Sequence, residues 1–183
     1  MLERVVIKEF SMDALNGRKK KIRIILPKNY DKEDIPYPVL YMHDGQNLVD
    51  KSPFSNHSWE VLETMDELGP EFGDMIIVGM DSDAKKRVLE YSPNLPKSTI
   101  KHINKYDKIE LSEIKPEADE YGLFIVNQVK PYIDKEYRTL TDRQHTYIAG
   151  SSCGGNISIY LGFKYQEIFS VIGAFSPAYG VLK

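Results

Sequence analysis

The segment AGSSCGGN, Ala149 to Asn156, sets two serines and the chain's only cysteine between glycines. Within it, Gly150-Ser151-Ser152-Cys153-Gly154 has the spacing G-x-S-x-G, in which the central serine hydroxyl can attack a carbonyl carbon. The physical reason for the glycines is steric. A strand that turns sharply into a helix holds its apex residue in a strained conformation, and the flanking backbone comes so close that only small residues fit at 150 and 154. Ser152 would then project above the sheet, beside the free N–H groups of a helix N-terminus, which favour the oxyanion of an acyl-transfer intermediate. Two other chemistries compete for these residues. A dinucleotide-binding turn needs G-x-G-x-x-G, and the third position of that pattern is Ser152 here. A cysteine at a helix N-terminus is an activated thiol, but Cys153 lies one place past the apex, where its side chain packs into the helix and its backbone N–H is left to serve. A pattern this short also arises by chance, so its weight rests on the elements around it.

Those elements are legible in outline. Apolar alternation over 3–10 and 20–26, separated by the turn pair Asn16-Gly17, predicts an opening antiparallel pair of strands. Short continuous apolar runs at 38–42, 75–79, 145–150 and 169–175 predict strands covered on both faces. A helix is expected over 58–68, capped by Ser58 and stopped by Gly69-Pro70, and a second over 117–137, bent or interrupted by Pro131. Ile157, Tyr160, Leu161 and Tyr165 mark a third helix, directly after the glycines. Residues 81–116 show no sustained period and read as a long irregular excursion with at most short helical pieces. Alternating strands and helices after a hairpin imply an α/β protein, a single domain over 1–183 built on a mostly parallel sheet. The G-x-S-x-G sequence thus falls between a buried strand and a helix, the context its chemistry requires. At the end of the strand at 38–42, HDGQN (His43 to Asn47) stands in the loop that supplies the other oxyanion N–H, though Asp44-Gly45 is also simply a good turn.

Composition narrows the function classes. The chain has 183 residues and a net charge of -3, from 24 Lys and Arg against 27 Asp and Glu, well mixed along its length. No nucleic-acid surface is expected. The basic run Arg18 to Lys21 precedes an apolar strand and reads as its solvated start. One cysteine excludes an internal disulfide, and the four histidines lack metal-ligand spacing, so neither metal nor cofactor is expected. The N-terminal MLERVVIKEF lacks the apolar core of a signal peptide and no run approaches a membrane span, so a cytoplasmic location and no membrane partner are expected.

Taken together, VLYMHDGQNL at 39–48, IIVGMDSD at 76–83, RVLEYSP at 87–93, VKPYIDKEYRTLTDR at 129–143, IAGSSCGG at 148–155 and GAFSPA at 173–178 resemble an esterase family of the α/β-hydrolase superfamily. That group includes enterochelin esterases, feruloyl esterases, tributyrin esterases and S-formylglutathione hydrolase. The resemblance covers nearly the whole chain and implies a three-layer α/β-hydrolase-like sandwich that hydrolyses small acyl esters. It makes Ser152 the nucleophile and the backbone N–H groups of Gln46 and Cys153 the oxyanion hole, and it assigns 81–116, with Tyr91 and Tyr106, to the roof of the substrate pocket.

One departure follows from order. In this fold the serine precedes the triad acid and then the histidine, yet after Ser152 the chain holds neither His nor Asp, and its one acid, Glu167, comes too early. The missing strands, helices and loops would take about 60 to 80 residues. Of the histidines, His43 is expected to pack at its strand end rather than act as base, His57 and His102 to lie on the surface, and His145 to begin a strand at the end away from the serine. The chain therefore reads as the N-terminal two-thirds of an esterase, weakly active or inactive alone; the alternative is a non-catalytic hydrolase-like binding module. The edge at 169–175 is expected to self-associate or to take a complementary C-terminal partner.

Overall fold

The strands follow from the apolar runs. In the computed structural model, which describes residues 4–51, 57–69, 74–106 and 110–179 (without the side chains of His102, Tyr106 and Glu113), they are β1 (Val5–Met12), β2 (Arg18–Ile25), β3 (Val39–His43), β4 (Ile76–Met80), β5 (Thr146–Ser151) and β6 (Val171–Phe175). The helices are α1 (Gln46–Val49), α2 (Val61–Leu68), α3 (Arg87–Glu90), α4 (Lys97–Tyr106), α5 (Ala118–Phe124), α6 (Lys130–Glu136) and α7 (Cys153–Lys164). The sheet order is β1-β2-β4-β3-β5-β6. β1 pairs antiparallel with β2 and β2 with β4, while β4, β3, β5 and β6 run parallel. Asn16 and Gly17, with φ of 54° and 75°, turn the opening hairpin. All six strands lie within about two residues of the expected runs; residue 3 and Pro70 lie outside the described residues.

Helices cover both faces, which is why β3, β4 and β5 are apolar without alternation. On one face Tyr41, Val78 and Ile148 pack against Tyr121, Phe124, Ile125, Val129 and Ile133 of the segment from α5 to α6, and against Ile157 and Leu161 of α7. On the other, Met42, Ile77 and Ala149 meet Leu48 and Leu62, with Trp59 and Met65 half-buried beside them. The second layer is thinner because α2 is its main helix. Ser58 does not cap α2: its hydroxyl accepts from the Glu60 N–H (3.1 Å), and Glu60 adopts a left-handed φ of 52°, so the helix begins at Val61. Pro131 perturbs its helix as its missing N–H dictates. The turn before it, Ile125–Val129, widens to a π-helical turn and α6 restarts around the proline.

Two expectations need correction. The excursion holds more order than its composition suggests: α4 is ten residues long, and Leu89, Leu95, Ile103 and Ile114 form a small core of their own. The basic run is not a solvated strand start. Strand alternation turns Lys19 and Lys21 outward but Arg18 and Lys20 inward. The Lys20 ammonium meets Glu90 at 2.5 Å, and Arg18 clasps Glu117 at 2.6 and 2.9 Å and reaches Glu90 at 3.2 Å. Two cations are thus balanced by two buried carboxylates, and the excursion is tied to β2 where it leaves α3 and where it rejoins α5.

Candidate active site

Ser152 follows β5 and stands at the N-cap position of α7 with φ 58° and ψ −121°, a backbone conformation L residues rarely adopt. The turn can close this tightly because Gly150 lacks a side chain: a Cβ there would lie 2.6 Å from the carbonyl carbon and oxygen of Gly154. A Cβ at Gly154 would lie 3.2 Å from an Asp44 carboxylate oxygen and 3.4 Å from the Cβ of His43. The strain is held from outside. The Ser152 N–H donates to the Phe175 carbonyl (3.0 Å), and the Ser152 carbonyl accepts from the Ala178 N–H (3.2 Å). Asn156 fixes the same segment by donating from Nδ2 to the Ala178 carbonyl (2.9 Å). Ser152 itself is exposed, while Cys153 is half-buried against the larger core. As the first residue of α7, Cys153 has an N–H without a carbonyl partner inside the helix.

The loop after β3 is held by a left-handed residue and a close backbone approach. Asp44, not Gly45, takes the left-handed conformation, with φ 58°. Gly45 is required by proximity: a Cβ would fall 2.5 Å from the carbonyl carbon of Gly79 in β4. Gln46 then opens α1, so its N–H, like that of Cys153, heads a helix. Its side chain exchanges two hydrogen bonds with Ser82: Nε2 donates to Oγ (2.9 Å), and the Ser82 N–H donates to Oε1 (2.9 Å).

Asp44 organises the charges. Its carboxylate is buried and takes a two-pronged pair from Arg87, Nε at 2.7 Å and a terminal guanidinium nitrogen at 2.8 Å. The Tyr91 hydroxyl accepts from the Asp44 N–H (3.1 Å) and donates to the same carboxylate (3.3 Å). Burial pushes the Asp44 carboxyl up, but the Arg87 pair outweighs it and holds the group below the usual carboxylate range. Tyr91 is therefore a buried strut and not a pocket-roof residue, which corrects its expected role; the Tyr106 side chain lies outside the described residues. His43 is wholly buried between Tyr91 and Tyr121, with Nδ1 2.8 Å from the Tyr121 hydroxyl and Nε2 without a partner among the described residues. Burial pushes its ring down to about 3, so it is neutral at neutral pH.

A cleft of about 590 Å³ brings Ser152 and Gln46 together, lined also by Trp59, Ser82, Arg87 and Val88. None of the described histidines lines it. His57 is exposed, His145 pairs with Asp142 (2.8 Å) at the opposite end of β5, and the His102 side chain lies outside the described residues. Glu167 lies beyond the far end of α7 from Ser152. A second, mostly apolar cavity of about 260 Å³ beneath α2 shares Trp59 with the cleft and has Thr64 and Asp74 as its polar lining. Among the described residues no group of His, Cys, Asp or Glu is placed to hold a metal ion, and no helix is long and apolar enough to cross a membrane. What sequence reasoning missed is the Asp44–Arg87–Tyr91 assembly. Its signal was the spacing of Arg87 and Tyr91, four residues apart and so on one side of a helical turn.

The chain matches the family model described as "Putative esterase" over residues 13–181. It is 24% identical over 169 residues to the uncharacterized protein YbbA of Bacillus subtilis strain 168, a match covering 92% of this chain and 61% of that one. Among solved structures it is similar to an IroE-like serine hydrolase from Shewanella oneidensis, with a TM-score of 0.69, 21% identity, and 91% and 48% of the two chains covered. It is also similar to a ferulic acid esterase, with a TM-score of 0.62, 27% identity, and 94% and 58% covered. The chain thus spans 48% to 61% of the length of these relatives. Its mixed sheet, parallel beyond the opening hairpin and covered by helices on both faces, has the α/β-hydrolase-like fold that these solved esterases share. By the extent of the family match, the chain belongs to the esterase family.

Proposed function

We propose that this chain carries the nucleophile and oxyanion hole of a serine carboxylesterase acting on small acyl esters. Ser152 Oγ attacks the ester carbonyl carbon while a histidine accepts its proton. The oxyanion rests on the N–H groups of Gln46 and Cys153, and the alcohol leaves with the proton returned by the histidine. Water then cleaves the acyl-serine bond and releases the acid. The observation that carries this reading is the exposed serine at a strained strand-to-helix turn, opening onto the same cleft as Gln46. Because no described histidine lines that cleft, the acid and the histidine come, on this reading, from a further segment that pairs along β6. The same observation favours a second reading, a hydrolase-like binding module without turnover.

Hydrolysis of p-nitrophenyl acetate separates them. On the esterase reading the chain alone is nearly inert, retaining the roughly 10³- to 10⁴-fold advantage over water that oxyanion hole and binding supply without a triad. Added imidazole, standing in for the missing base, raises a rate component that is lost in Ser152→Ala. Identical rates in the two proteins at every imidazole concentration favour the binding module.

A further inference from the structure

Asp44 poses an electrostatic problem for the reaction proposed above. Its carboxylate stands against the first turn of α7, within 3.2 Å of where a Cβ of Gly154 would be, and belongs to the loop that carries Gln46. An unpaired carboxylate there would cancel the partial positive charge of the helix N-terminus and repel a developing oxyanion. The pair with Arg87 removes that charge. Arg87 reaches Asp44 from the excursion, lies over the Tyr91 ring with its guanidinium carbon 5.1 Å from the centroid, and lines the cleft beside Ser152. Its two-pronged geometry and its packing on Tyr91 leave little freedom for the pair to open.

We infer that Arg87 is a positioning residue of the site: by neutralising Asp44 and fixing it in its left-handed conformation, it keeps the N-terminus of α7 able to hold negative charge. The inference rests on the esterase reading for its role in catalysis, but its electrostatic core does not depend on turnover. The lone cysteine supplies the probe. Cys153 is the first residue of α7, half-buried beside Ser152 and within electrostatic reach of Arg87. Its thiolate is a negative charge formed at the same helix N-terminus, on the core side rather than in the cleft.

The test is the pH dependence of Cys153 alkylation by iodoacetamide, in which the thiolate sulfur displaces iodide and the adduct is counted by mass spectrometry. In Arg87→Met the half-maximal rate moves to higher pH by about one unit, the effect of an uncompensated charge near a partly solvated site. In Arg87→Met/Asp44→Asn, which removes both charges and keeps both shapes, it returns to the wild-type position. A loss of packing alone would not be repaired by removing the second charge. If Arg87→Met fails to fold because it leaves Asp44 buried and unpaired, Asp44→Asn decides: it leaves the Arg87 charge uncompensated and moves the half-maximal rate to lower pH, and an unmoved profile in it overturns the inference. A profile displaced by a full unit in the double variant, or an unmoved profile in a folded Arg87→Met, overturns the inference. Failure of the esterase reading shows separately, as hydrolysis indifferent to Ser152.

Discussion

His43 shows how a single residue can sit against the candidate site and still be sealed away from its cleft. Its ring is folded beneath the turn between Tyr91 and Tyr121, and burial keeps it neutral. The consequence is a pH dependence of stability with a definite sign. Folded, the ring takes a proton only near pH 3; unfolded, near its ordinary 6.5. Below 6.5 the unfolded chain therefore binds the extra proton, and stability falls as the pH drops from 6.5 toward 3, by about 1.4 kcal/mol per unit. Urea unfolding between pH 7 and 5 should show the wild type losing about 2 kcal/mol, the slope steepening toward that limit, and a smaller loss in His43→Gln; equal losses would mean that the ring is protonated in the fold. At this scale the sequence was informative about Ser152, Gly150 and Gly154, because close backbone approach leaves only glycine as a solution. It was silent about Asp44, whose left-handed φ and buried pair depend on Arg87 and Tyr91, more than forty positions away.

Among the elements, strands were legible to within about two residues because their burial is written as uninterrupted apolar runs. The excursion was not, since its order comes from contacts that periodicity does not record. The clearest case is the link from β2 to α3 and α5 through Arg18, Lys20, Glu90 and Glu117. A run of four basic residues looks solvated until the carboxylates that meet it are placed. Glu90→Gln leaves Lys20 buried without its counter-charge, and should cost about 3–5 kcal/mol in urea unfolding. Lys20→Met/Glu90→Met, which removes both charges, should recover much of that loss. A single variant as stable as the wild type would show that the network is wet and adds little.

For the molecule as a whole, the two ends of the sheet differ. β1 exposes Lys8, Glu9 and Ser11 beside one apolar side chain, Ile7, whereas β6 exposes two, Val171 and Phe175, with no charged residue between them. Relatives that share this fold are longer than the chain. A parallel edge with exposed apolar side chains invites pairing, and sedimentation should show association of the chain that rises with concentration and declines in Val171→Lys/Phe175→Lys. A wild type that stays monomeric throughout would mean that the edge needs no partner. The most direct test of the whole account is the position at which a fluorophosphonate attaches, since the serine oxygen must displace fluoride from phosphorus in a site that holds the resulting oxyanion. Peptide mapping by mass spectrometry after prolonged exposure should find the adduct on Ser152, formed faster with imidazole present and absent from Ser152→Ala. An adduct spread over other hydroxyls at the same rate, with Ser152 unmodified, would contradict the assignment of Ser152 as the nucleophile.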